Sequence, residues 1–207
     1  MKTILSLIIL IALHVEAQQT ATTNDGKTVL LHDNGKWEYA KDVDSAVEQA
    51  NLKSYAKPST AQTLLKSEKN NFAVWYDNKK WKKTEDLNNE AAEFSFSLLK
   101  GDGYAMAITE RIEIDIANLK EVALGNARNA APDITLEKEE MRIVNGKKVK
   151  CLQMTGTASG VKFTYLGYYY SDESGTIQLV CFTGKSLLKT YQKDFEELLN
   201  GLVTIQK

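Results

Sequence analysis

VKFTYLGYYYSDESGTIQLVCFT, Val161 to Thr183, reads as two long antiparallel strands joined by the turn Ser171-Asp172-Glu173-Ser174-Gly175. Side chains on a strand alternate between its two faces. Phe163, Tyr165 and Tyr169 therefore share one face of the first strand, and Leu166, Tyr168 and Tyr170 share the other. The second strand repeats the pattern, with Ile177, Leu179 and Cys181 on one side and Val180 and Phe182 on the other. Strands that are apolar on both faces are covered on both. The hairpin is expected in the middle of a sheet with helices against it.

Working outward, Glu137 to Val144 and Lys147 to Gly156 flank Asn145-Gly146, the dipeptide that a two-residue hairpin turn favours because both central residues need positive φ. With the central hairpin they predict a four-stranded antiparallel meander. Before it, Ile116 to Ala131 takes helical spacing at Ile116, Leu119, Ala123, Ala127 and Ala130, with Asp115 as cap and Pro132 beyond the end. After it, Ser186 to Asn200 carries the stripe Leu188, Tyr191, Phe195, Leu198 and Leu199, then Gly201 as an expected left-handed terminator. This helix is expected to lie across the central hairpin. Upstream, strands are predicted at Thr63 to Lys66, Phe72 to Tyr76, Ala92 to Leu98 and Tyr104 to Ile114, with a turn from Asp77 to Trp81.

The chain has 207 residues, 43% of them hydrophobic, enough for one domain with something added. Its 26 basic and 27 acidic residues nearly cancel, which argues against nucleic acid as a partner. Residues 1–17 combine Lys2, an apolar run from Ile4 to Leu13 and Val15-Glu16-Ala17, and read as a signal peptide cut before Gln18. The run falls short of the roughly 20 apolar residues of a spanning helix, so no stable membrane span is expected. The junction resembles that of exported Gram-negative proteins, which points to the periplasm or the cell exterior. Residues 18–41 read as an N-terminal β-hairpin appendage, with loose polar residues at 18–24 and a hairpin turn at Asn34-Gly35. Residues 42–60 read as a linker with a short helix striped by Val43, Val47 and Ala50, and residues 61–207 as the main domain.

The element order, together with Phe72-Ala73-Val74-Trp75-Tyr76 and the turn to Trp81, resembles the PsbP-like superfamily over about residues 61 to 202. The resemblance implies an α+β fold, an α-β-α sandwich around an antiparallel sheet. It also implies a small non-catalytic accessory or binding module.

The chemistry on offer is sparse. Beyond the leader one histidine remains, His32, beside a turn, which rules out sites built on two histidines and leaves a triad without its elbow sequence. No metal site and no cofactor is expected. Cys151 and Cys181 fall two strands apart in the meander, roughly 9 to 10 Å. A disulfide needs Cα atoms within about 7 Å, so both are expected as buried thiols. Glu110 shares parity with Ile108 and Ile112 and is the carboxylate an enzyme would use. The charged run Glu137-Lys138-Glu139-Glu140 is expected to pair across strands with Lys147-Lys148, and Gly101-Asp102-Gly103 to form a plain turn. Aromatic rings can stack on ligands, which nominates Tyr168, Tyr170, Trp37 and Trp81 for ligand binding. The expected protein is non-enzymatic, with an unknown protein or small-molecule partner in the envelope. The competing readings are a carboxylate-dependent hydrolase and an envelope or adhesion module.

Overall fold

The computed structural model describes residues 19–22, 28–31, 35–39, 52–85 and 89–205. The chain divides into two compact units, Met1–Ala50 and Asn51–Lys207. The expected leader and the helical stripe from Val43 to Ala50 lie outside the described residues.

In the first unit β1 (Gln19–Thr22), β2 (Thr28–Leu31) and β3 (Trp37–Tyr39) form an antiparallel sheet in that order. Two expectations change here. Residues 19–22, read as loose, pair with β2, Thr20 opposite Leu30. The β2–β3 register sets Leu31 opposite Trp37, which is one residue away from the pairing a two-residue Asn34-Gly35 turn would impose.

The second unit holds β4 (Ser54–Tyr55), β5 (Thr63–Lys66), β6 (Phe72–Tyr76), β7 (Trp81–Thr84), β8 (Ala92–Leu98) and β9 (Tyr104–Glu110). Helix α1 (Leu119–Ala130) follows, then β10 (Thr135–Val144), β11 (Lys147–Ala158), β12 (Val161–Asp172) and β13 (Gly175–Gly184). Helix α2 (Leu188–Leu199), entered through a 3-10 turn, and β14 (Leu202–Thr204) complete it. Eight strands form one sheet in the order β4-β10-β11-β12-β13-β9-β8-β7, antiparallel except where β4 runs parallel to β10. The central hairpin sits in its middle. Asn145 at φ 49° and Gly146 at φ 81° make the turn before β11.

Each face of the sheet shares an apolar cluster with one helix. Leu119, Ala123, Leu124 and Ala127 of α1 join Leu152, Met154, Tyr169 and Val180. Phe195, Leu198 and Leu199 of α2 join Cys151, Leu166, Tyr168, Ile177, Leu179 and Cys181 on the opposite face. The parity of the quoted hairpin separates these two sets. Helix α1 begins three residues later than its spacing suggests, because the Asp115 carboxylate accepts from the Ala117 N–H and its carbonyl from the Asn118 N–H, closing a turn ahead of the helix.

The α-β-α sandwich is met only in part. The unit is mostly sheet with two 12-residue helices, and β5 and β6 leave the main sheet to form a second one, ordered β14-β6-β5. Residues 42–60 are not all linker either. Tyr55 pairs with Val144, and the Lys57 N–H donates to Asn145 Oδ1 at 2.8 Å. Gly201 does not take the left-handed conformation. A Cβ there would lie 1.9 Å from the Trp75 carbonyl oxygen, so glycine is required by close approach. Among the described residues no helix is long and apolar enough to cross a membrane.

Candidate functional site: a cleft between helix α1 and the sheet

On β13, Gln178 faces α1, between Ile177 and Leu179, which face α2. In register it lies between Tyr169 of β12 and Ile108 of β9. One step along, Val180 lies between Gly167 and Met106. A Cβ on Gly167 would meet Tyr169 Cε2 at 3.0 Å and Oη at 3.1 Å, so the missing side chain is what lets the Tyr169 ring fold over this row. Helix α1 crosses above with Ala123, Asn126, Ala127 and Ala130, spaced so that they share a face.

Between helix and sheet lies a cleft of about 80 Å³. Met106, Ile108, Met154, Tyr165, Tyr169 and Val180 line it from the sheet, and exposed Asn89 and Asn126 stand at its rim. The Asn89 Nδ2 donates to Met106 Sδ at 3.1 Å. No charged side chain lines the cleft among the described residues. Burial pushes the phenols of Tyr165 and Tyr169 up, so both enter as neutral hydroxyls. Gln178 is 3% exposed and its Nε2 meets no acceptor. A buried donor left unpaired costs about 1–3 kcal/mol, and of the three such atoms among the described residues, with Trp81 Nε1 and Thr155 Oγ1, this one belongs to a residue lining the cleft.

The aromatic residues expected to bind ligand are placed elsewhere. Tyr168 is fully buried, accepting from Arg142 Nη1 at 2.8 Å and donating to Asn200 Oδ1 at 2.8 Å. Trp81 is buried against Phe195, ring centroids 6.1 Å apart. Its Nε1 is also unpaired, but the cavity beside it is about 10 Å³, room for one water at most. Tyr170 is half-buried edge-on to Phe72 at 5.5 Å. Tyr168 and Trp81 are thus core, and these three rings form no exposed platform. His32 and the side chain of Trp37 lie outside the described residues.

The carboxylates stand outside the lining of this cleft. Glu110 is the last residue of β9 and exposed, because the strand stops before Ile112 and parity no longer applies beyond it. Burial alone would raise Glu93, yet bonds from Thr109 Oγ1, the Glu68 N–H at 2.6 Å and Ser67 Oγ at 2.8 Å hold it below the usual carboxylate range. Glu139 is held low by Lys150 at 2.9 Å and Lys120 at 3.2 Å, and Glu137 by Lys185. Lys147 and Lys148, expected to pair with this charged run, lie in register opposite Val144 and Ile143, while Lys150 reaches Glu139. Cys151 and Cys181 are free and buried, and burial pushes the Cys151 thiol up to about 11. Among the described residues no group of three or more His, Cys, Asp or Glu gathers as for a metal.

No protein-family model matches the chain, and no curated protein matches it in sequence. Solved structures do. The solution structure of cyanobacterial PsbP (CyanoP) from Synechocystis sp. PCC 6803 superposes with a TM-score of 0.54 at 13% identity, covering 71% of this chain and 94% of that one. The crystal structure of LpqN, involved in cell envelope biogenesis of Mycobacterium tuberculosis, gives 0.51 at 12% identity over 70% and 90%. Identities this low carry fold and nothing finer. Over about 70% of its length the chain has a PsbP-like fold.

Proposed function

We propose that the protein is a non-catalytic binding or accessory module of the periplasm or cell exterior, and that the α1–sheet cleft is its binding site. The observation that carries this reading is the buried, unpaired Gln178 Nε2 of a cleft walled mainly by apolar and aromatic side chains, a combination of orienting polar group and greasy wall that suits a ligand pocket. Each perturbed carboxylate described above is occupied by hydrogen bonds or ion pairs, which favours binding over hydrolysis. The leader-like residues 1–17 and the likeness in fold to LpqN, a protein involved in cell envelope biogenesis, support the compartment.

Native mass spectrometry of the protein purified from its own envelope tests the site. A small ligand is expected to accompany it and to be lost in Ala127→Leu, which fills the cleft from the helix side. Turnover of ester or glycoside substrates that disappears in Glu110→Gln would instead establish the hydrolase. Intact mass of the exported form is expected to begin at Gln18.

A further inference from the structure

We infer that the cleft takes a small neutral carbonyl compound, a ketone, ester or amide whose oxygen accepts the hydrogen bond that Gln178 Nε2 has to give. This deepens the binding reading above and rests on it.

Three observations select this chemistry. The unpaired group is a donor, so the occupant brings an acceptor. No charged side chain lines the cleft among the described residues, and a carboxylate ligand would be buried without a counter-charge, which is far costlier than burying a carbonyl. The cleft is about 80 Å³. That is roughly half the ~150 Å³ of a cavity that admits benzene, and well above the ~10–15 Å³ a single water needs. The site therefore suits about three or four heavy atoms as it stands. Met106 and Met154, unbranched and adaptable, let it take slightly more. The carbonyl end belongs at Gln178, the buried amide of the lining. The alkyl end lies against helix α1, where buried Ala123 and Ala127 leave room that larger helix residues would fill.

The test compares 2-butanone with 2-methyl-1-butene, the isostere in which a methylene replaces the oxygen, by titration against the whole protein with backbone amide shifts as the readout. The same pair is run on Gln178→Met, which keeps length and removes the donor. Because that change replaces an unpaired buried donor with an apolar group, the variant is expected to fold at least as stably as the parent. Gln178→Leu serves as a second apolar variant should Met refill the cleft. The ratio of ketone to alkene affinity is expected to fall about three- to tenfold on losing the donor, the value of one hydrogen bond. Propionate, with the same five heavy atoms but charged, is expected to leave residues 106, 126 and 178 unmoved. A ratio unchanged in both variants would overturn the carbonyl assignment while leaving a binding cleft, with a water on Gln178. If neither neutral probe shifts those residues in the parent protein, the binding reading itself fails, and this inference with it.

Discussion

At the scale of single residues, Trp81, Tyr168, Phe72 and Phe96, among the largest fully buried side chains, share one apolar cluster with α2. Phe195 is fully buried, with the rings of Trp81 and Tyr191 at centroid distances of 6.1 and 6.3 Å. Phe195→Ala is expected to cost about 3–5 kcal/mol in urea unfolding, a large part of the 5–15 kcal/mol typical of a domain. Lys193 has an 85% exposed side chain and a single distant ion pair to Glu197, so Lys193→Ala is expected within about 0.5 kcal/mol of the parent. Cys151 faces Tyr168 and Cys181 faces Leu166 across β12, so the two are separated by a whole strand. Alkylation without reductant is expected to modify both once the chain is denatured and neither quickly in the native state. A protected pair in the denatured chain would contradict this strand order. Gln178 was not singled out among the candidate site residues. Its signal was visible, a lone amide in a strand otherwise apolar on both faces, but only the packed helix shows that no neighbour satisfies it.

Among the elements, long strands and helices were legible and short ones were not. Ten- and twelve-residue strands such as β12 and β13 repeat their alternation often enough to assign each face, and the stripe of α2 does the same at helical spacing. Two to four residues carry no period. β4 and β1 fall in stretches that read as linker and loose chain, β14 lies past the expected helix end, and pairing partners in other strands define all three. The Asn145 turn joins several of these elements. Its Nδ2 donates to the carbonyls of Asn200 and Leu202, both at 2.8 Å, and its Oδ1 accepts from Lys57. Asn145→Ala loses these bonds and places alanine at positive φ, with an expected cost of about 2–4 kcal/mol. Asn145→Gly keeps the backbone relaxed, so its deficit in the same thermal melts isolates the bonds and should be the smaller of the two.

For the whole molecule, charge sets the pH range of stability. Glu93, Glu137, Glu139 and Glu140 all titrate lower in the folded protein than their ordinary value of 4.5, so the unfolded chain binds protons first as acid is added. Their contribution is full above about pH 4.5 and is lost as pH falls through the depressed values. The opposite limit comes from groups pushed up by burial, Cys151 from 9.0 to about 11 and Tyr170 from 10.0 to about 12. Folding holds their protons more tightly, so that stability is complete below about pH 9 and declines as pH climbs through the folded values. Urea midpoints are expected to be flat from about pH 5 to 8.5 and to fall on either side. A decline setting in near pH 6.5 would point to a group other than these.

The pairing of β14 with β6 also governs when this unit can fold. Val74 faces Leu202, and the Trp75 N–H donates to the Gly201 carbonyl at 2.9 Å, so a strand made early in synthesis is completed by one made late. Until β14 leaves the ribosome, Phe72 and Val74 have no cover from it and the small sheet is a bare two-stranded hairpin, marginal on its own in water. Contacts so distant along the chain are slow to form and postpone cooperative collapse. A nascent chain halted before Leu202 is accordingly expected to remain sensitive to protease, and to become resistant only when the last strand is released.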